Sequence, residues 1–112
     1  MILTLTPNPS VDRTVFVDAL PRGAVIRSSR GWSEPSGKGV NVALALQRHD
    51  RPATAVLPVG GSVGAQLSQM LRLIGLPVRE VPVRGEIRSN ISLVEPDGTV
   101  TKVNEPGPEL DT

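Results

Sequence analysis

The stretch Ser36-Gly37-Lys38-Gly39-Val40-Asn41-Val42-Ala43-Leu44-Ala45-Leu46 constrains the fold of this chain more than any other. Two glycines flank a lysine and run without a break into apolar residues suited to a helix. Glycine has no Cβ and tolerates positive φ, so this turn can bring its backbone close to a neighbour or a ligand. Val40, Ala43, Leu44 and Leu46 recur at roughly helical spacing, which predicts that the turn opens a helix N-terminus. Unpaired N–H groups and the positive end of the helix dipole make such a terminus attractive to anions. Lys38 adds a mobile cation, and Asn41, about one turn in, adds a donor and an acceptor. The set suits a hydroxylated, phosphorylated small molecule. A bland turn that only caps a buried helix is the competing reading.

Two better-known phosphate motifs fail on spacing. A P-loop needs glycine, four residues, then Gly-Lys-Ser/Thr. Here five residues separate Gly31 from Gly37, and Gly39 stands where the hydroxyl should be. No G-x-G-x-x-G follows the first β-rich segment, which excludes a dinucleotide fingerprint.

In chain order, Ile2–Thr6 reads as a buried strand ended by Pro7-Asn8-Pro9. Its C-terminal end would deliver a polar loop with Ser10, Asp12 and Arg13, and open α/β sheets place ligands there. Asp12 could accept hydrogen bonds from sugar hydroxyls or simply form the turn. Thr14–Val17 reads as a second strand, and Ala24–Trp32 as a polar extended flap. The helix after the Gly-Lys-Gly turn should run to about Arg48, leaving His49 solvated at its end. Ala53–Leu57 reads as a core strand closed by Pro58. Gly60–Gly64 then leads into a helix over Ala65–Ile74, with Leu67, Met70, Leu71 and Ile74 on one face and Gly75-Leu76-Pro77 as its stop. Val78–Val83 is a further strand. Ile87–Val94 and Thr99–Val103 should form a hairpin across Glu95-Pro96-Asp97-Gly98. Arg88, entering that hairpin, could pair with a phosphate or stand solvated. Asn104–Pro108 ends the hairpin, and Asp111 or Thr112 would make a good N-cap for a following helix. Alternating strands and helices predict an α/β fold with a largely parallel sheet.

At 112 residues the chain is one domain at most. A net charge of +1 gives no electrostatic case for nucleic acid or a membrane surface. Cysteine is absent, which excludes disulfides and thiolate metal sites and suits a cytoplasmic location. No metal site is expected. Trp32 and Phe16 are the only aromatics, so aliphatic residues must build the core.

Taken together and in order, these motifs resemble the amino-terminal part of the PfkB (ribokinase-like) sugar kinases, most closely their 1-phosphofructokinase and tagatose-6-phosphate kinase branch. Thr4-Leu5-Thr6-Pro7-Asn8-Pro9-Ser10-Val11-Asp12 looks like the start of that branch. Ser36–Ala43 resembles the family's first signature, and Gly60–Gly64 the glycine pair that follows it. Arg88-Ser89-Asn90, Asp97–Thr101 and Asn104–Pro108 resemble its lid hairpin and exit.

The resemblance implies a ribokinase-like fold and MgATP-dependent phosphorylation of a sugar phosphate, such as fructose 1-phosphate to the 1,6-bisphosphate. Asp12 would bind sugar hydroxyls, Gly37 and Asn41 would hold the sugar, and Lys38, Arg88 and Asn90 would face its existing phosphate. Residues 1–13, 33–83 and 104–112 would belong to the core. Segments of about 14–32 and 84–103 would form a lid, which in this family often supports a homodimer. Ser36, Ile87, Ser89 and Asp50 depart from the common pattern without removing a proposed ligand. Family members are much longer, and their general base lies in a Gly-Ala-Gly-Asp-like motif. None of Asp12, Asp18, Asp50, Asp97 and Asp111 sits in such a turn. This chain is therefore expected to hold the sugar-binding half and lid, with no catalytic residue and no tight ATP or Mg2+ site, and to be inactive alone. A non-catalytic sugar-phosphate-binding or dimerising module, and a kinase for tagatose 6-phosphate or fructose 6-phosphate, stand as alternatives.

Overall fold

A computed structural model describes residues 2–110; the proposed N-cap at Asp111 or Thr112 lies outside them. Nine elements follow in order: β1 (Ile2–Leu5), β2 (Ser10–Phe16), β3 (Arg30–Ser36), α1 (Lys38–Arg48), β4 (Ala53–Val59), α2 (Gly61–Ile74), β5 (Val78–Pro82), β6 (Arg88–Val94) and β7 (Val100–Asn104). They build two sheets. β1, β4 and β5 form an all-parallel sheet in the order β1-β4-β5. β3, β2, β6 and β7 form a mixed sheet in that order, with β2 antiparallel to β3 but parallel to β6. Among the described residues no helix is long and apolar enough to cross a membrane.

Both helices cover one face of the parallel sheet. Ala53, Ala55 and Leu57 of β4 pack there against Val40 and Ala43 of α1 and Leu67 and Leu71 of α2, with Val11, Leu76 and Ile87 closing the core. Small alanines on the central strand let two helices share that face, while Leu57, Leu67 and Leu71 are its largest fully buried side chains. The opposite face carries Leu3, Leu5, Val56, Pro58 and Val81, in register across the three strands. Leu3 is 60% and Leu5 68% exposed, so this face is open apolar surface in the described chain.

Four boundaries differ from the sequence expectation. β2 begins at Ser10, not Thr14, and takes in Asp12 and Arg13. It is hydrogen-bonded on both sides, and two ladders outweigh the poor strand propensity of those residues. The flap expected over Ala24–Trp32 is mostly irregular; the strand is Arg30–Ser36, an edge where Pro35 costs no interior ladder bond. Pro58 does not end β4, which continues to Val59. The Val56 carbonyl accepts Thr6 N–H on the β1 side and the Val59 carbonyl accepts Val83 N–H on the β5 side. Residue 58 therefore faces β1, whose paired register ends at Leu5 opposite Val56, so a proline there leaves the β5 ladder intact. Finally, α2 starts at Gly61 and absorbs the glycine lead-in as its first turn.

Both helices end in the same hydrogen-bond pattern. Leu76 N–H donates to Leu71 O and Gly75 N–H to Arg72 O, with Gly75 at φ 82°. At the end of α1, Arg51 N–H donates to Leu46 O and Asp50 N–H to Gln47 O, and Asp50 takes the left-handed position at φ 57°. The hairpin between β6 and β7 turns as expected, with Gly98 at φ 89°. Asp97 Oδ1 accepts the Thr99 N–H at 2.9 Å. That backbone hydrogen bond, more than the side-chain one from Thr99, holds the Asp97 carboxyl below its ordinary value.

Two outcomes follow. Asp50→Gly should raise stability by about 1 kcal/mol, because a side chain leaves a left-handed position; the chemical-denaturation midpoint reads this. A lowered folded pKa means that the Asp97 contribution is present above the ordinary carboxylate value and lost as pH falls through the folded one. The Thr99 amide resonance should therefore titrate with a midpoint below that of an unstructured aspartate.

Candidate functional site

The C-terminal end of β1 meets the start of the mixed sheet, and the candidate residues collect there. Ser10, Arg88 and Ser36 occupy one rung across β2, β6 and β3, and Asp12, Asn90 and Glu34 the next rung on the same face. Strand pleating puts every second residue on one face, so Arg88 and Asn90 flank the Asp12 carboxylate from the neighbouring strand. Gly37 follows Ser36 directly and is the N-cap of α1. The register thus delivers Asp12, Asn90, Arg88 and the Gly37–Asn41 turn to one place.

Their hydrogen bonds differ. Asp12 Oδ1 accepts from Ser10 Oγ at 2.6 Å and from Asn90 Nδ2 at 3.3 Å. Asn90 Oδ1 accepts the Glu105 N–H at 3.2 Å, and Glu105 Oε1 in turn accepts the Ser89 N–H at 2.6 Å. Arg88 Nη2 donates to the Asn8 carbonyl at 3.1 Å, while its Nε is buried with no partner among the described residues. Asn8 Nδ2 donates to Pro106 O at 3.1 Å, so the hairpin exit is tied to the loop after β1. Lys38 and Asn41 are solvent-exposed on the first turn of α1. Asn41 N–H makes the first helical bond, to Gly37 O at 2.8 Å.

The sequence holds two glycine-led helix starts, and the structure separates them. At α2 the Glu86 carboxylate lies on the terminus: its Oε1 accepts the Val63 N–H at 2.6 Å and the Ser62 hydroxyl at 3.5 Å. Gly61 has φ 70°, and any Cβ there would run into the Glu86 carboxylate. That terminus is neutralised from within. At α1 the first turn has no acidic residue and Gly37 makes no side-chain cap. Among the described residues no side chain caps its positive end, which lies beside Lys38.

Close packing under α1 explains its glycines. Gly37 has φ 134° and a Cβ there would strike Thr6 Cγ2. A Cβ on Gly39 would strike Thr6 Oγ1 and come within 2.6 Å of the Leu5 carbonyl oxygen. Thr6 is 3% exposed and its hydroxyl has no partner among the described residues. The glycines thus let the first turn of α1 rest on the end of β1.

Sequence reasoning placed Ser10 in the polar loop after β1 without giving it a role, and it missed Asn8, Glu86 and Glu105. Asn8 and Glu105 stand next to prolines and read as turn punctuation, and nothing local marks Glu86, whose partner lies 23 residues away. His49 is exposed at the end of α1. Among the described residues no group of three or more His, Asp or Glu stands together to hold a metal.

A profile of the pfkB family carbohydrate kinases matches residues 6–111. The 1-phosphofructokinase of Bacillus subtilis is 38% identical over 110 residues, covering 98% of this chain and 36% of the relative. The ATP-dependent 6-phosphofructokinase isozyme 2 of Mycobacterium tuberculosis (strain H37Rv) is 34% identical over 94 residues, covering 84% and 28%. The crystal structure of phosphofructokinase-2 from Escherichia coli in complex with fructose-6-phosphate superposes with a TM-score of 0.90 at 31% identity, covering 98% of this chain and 37% of that one. The chain spans about a third of the length of the relatives it matches, and its fold is ribokinase-like α/β.

Gly39→Ala should destabilise the chain by about 1–3 kcal/mol, since backbone and not a flexible side-chain end must give way. Equilibrium unfolding measures it; a loss under 0.5 kcal/mol would show that α1 can lift from β1 at little cost.

Proposed function

The chain belongs to the pfkB family of carbohydrate kinases, and on that premise we propose that it forms the acceptor-binding portion of an ATP-dependent sugar-phosphate kinase. The observation that carries the reading is the pairing of chemistries on adjacent strands. A carboxylate, Asp12, stands one pleat from Arg88, a guanidinium whose buried Nε has no partner among the described residues. A carboxylate accepts hydrogen bonds from sugar hydroxyls, and a guanidinium matches a phosphate bidentately. Lys38 and the open positive end of α1 add to the attraction for phosphate, and Asn41 offers a polar contact to the sugar. An unphosphorylated sugar would leave these cations without a counterpart.

In this reading the chain binds and orients the acceptor. Fixing one hydroxyl toward the nucleotide converts much of the entropic cost of the encounter into prior binding. The mixed sheet acts as the lid, and its closure would exclude water from the transfer. ATP supplies the phosphoryl group. Its pocket and the general base are proposed to lie in other residues of the kinase. Fructose 1-phosphate is the proposed acceptor, because the first relative named above is a 1-phosphofructokinase. Fructose 6-phosphate is the second reading, favoured by the solved complex that superposes on this chain.

The lid is also the proposed dimer contact. Phe16, Trp32 and Arg30 gather at its far end, with ring centroids 5.2 Å apart and the Arg30 guanidinium 4.2 Å from the Phe16 centroid. Trp32 stays 47% exposed there, as does Val100 at 48%, which suits burial against a second copy.

The test is turnover of fructose 1-phosphate, fructose 6-phosphate, tagatose 6-phosphate and ribose by the full-length kinase, native and Arg88→Ala. Loss of a charged hydrogen bond predicts a fall of roughly 10- to 100-fold in kcat/KM for the preferred hexose phosphate. The reading fails if ribose is the best substrate, or if Arg88→Ala leaves hexose-phosphate turnover unchanged. The isolated 112-residue chain should show negligible kinase activity.

A further inference from the structure

The hydrogen bonds around Asp12 carry a second assignment. Both donors to this carboxylate converge on Oδ1, from Ser10 Oγ and Asn90 Nδ2. Ser10 is 1% exposed, so its hydroxyl is a buried group whose recorded partner is this oxygen. Asn90 is itself fixed: it sits opposite Asp12 on β6 and opposite Asn104 on β7, and its carbonyl oxygen takes the Glu105 N–H. The Glu105 carboxylate closes the ring on Ser89 N–H. A carboxylate held at one oxygen by two donors has lost its rotational freedom, and its other oxygen keeps the lone pairs to accept from a ligand.

We infer that Ser10 and Asn90 are positioning residues that act through Asp12, leaving Oδ2 as the one oxygen that receives the acceptor hydroxyl, and that Asn90 is not a phosphate ligand. The inference rests on the sugar-kinase reading for its substrate but on the hydrogen bonds for its geometry. It also gives Glu105, at the exit of the lid hairpin, a line of contact to the sugar site through Asn90. Movement of the β7 exit relative to β6 would then be felt at Asp12.

A double-mutant cycle separates this from a phosphate role. In the full-length kinase, Ser10→Ala and Asn90→Ala should each lower kcat/KM for the preferred hexose phosphate by roughly 5- to 30-fold, with KM for ATP unchanged within about twofold. In the Asp12→Ala background neither substitution should cost more than about a further twofold, because the group they act on is gone. Asn90→Ala and Arg88→Ala should instead multiply. Ser10→Ala removes one oxygen and adds nothing, so it carries the cycle where Asn90→Ala does not fold. The inference is overturned if Asn90→Ala and Ser10→Ala lose as much without Asp12 as with it, or if Asn90 couples to Arg88 and not to Asp12. If the native kinase phosphorylates no hexose phosphate, the functional reading has failed separately. The geometry is then read in the 112-residue chain from the Asn90 side-chain amide protons by NMR. They shift on Asp12→Ala if the clamp exists, and their staying in place overturns it.

Discussion

The first turn of α1 lies directly on the end of β1, and most of the molecule depends on that contact. Gly37 and Gly39 leave room for Thr6 and for the Leu5 carbonyl, so helix and strand meet backbone to backbone. A side chain at either glycine would push the helix off the sheet. Val40 and Ala43 would then leave the core, and the terminus would leave the rung where Ser10, Arg88 and Ser36 align. Core packing and site geometry share one support.

A second crossing works by charge. Glu86 reaches the terminus of α2 from the segment that leads into β6, and two residues later Arg88 begins that strand. The carboxylate satisfies a helix N–H and anchors the strand that carries the guanidinium. One glycine-led helix terminus is therefore spent on holding the fold together. The other has no acidic residue in its first turn and no side-chain cap among the described residues. Lys38 follows β3 and Arg88 begins β6, so the two cations flank β2, the strand that carries the Asp12 carboxylate.

Much of this was legible locally. The helical spacing after Gly39, the Gly75 stop and the Pro-Asp-Gly hairpin follow from backbone preferences within a few residues, and the structure agrees with them. Asp50 departs from the pattern of the family that the chain resembles, and it adopts positive φ. The failures share a cause. Ser10–Arg13 looks like a loop until β3 and β6 flank it, and Pro58 looks like a strand end until β1 is seen to stop before it. In both cases the deciding partner is distant in sequence. The site shows the same division. Asp12, Gly37, Lys38, Asn41, Arg88 and Asn90 could be picked out by chemistry and by resemblance. Ser10 reaches Asp12 from two residues away on the same strand, but Asn90 reaches it only through the register of two parallel strands, 78 residues apart.

The order of motifs determined the family and the fold class, because glycine turns, prolines and apolar periodicity act through short-range sterics written in neighbouring residues. Two choices belonged to the tertiary structure alone. One was which of the two glycine-led helix termini takes a carboxylate, since only folding brings Glu86 to α2, while α1 has no side-chain cap among the described residues. The other was the second donor to Asp12, since Asn90 meets its Oδ1 through strand register, a long-range property that no local pattern encodes.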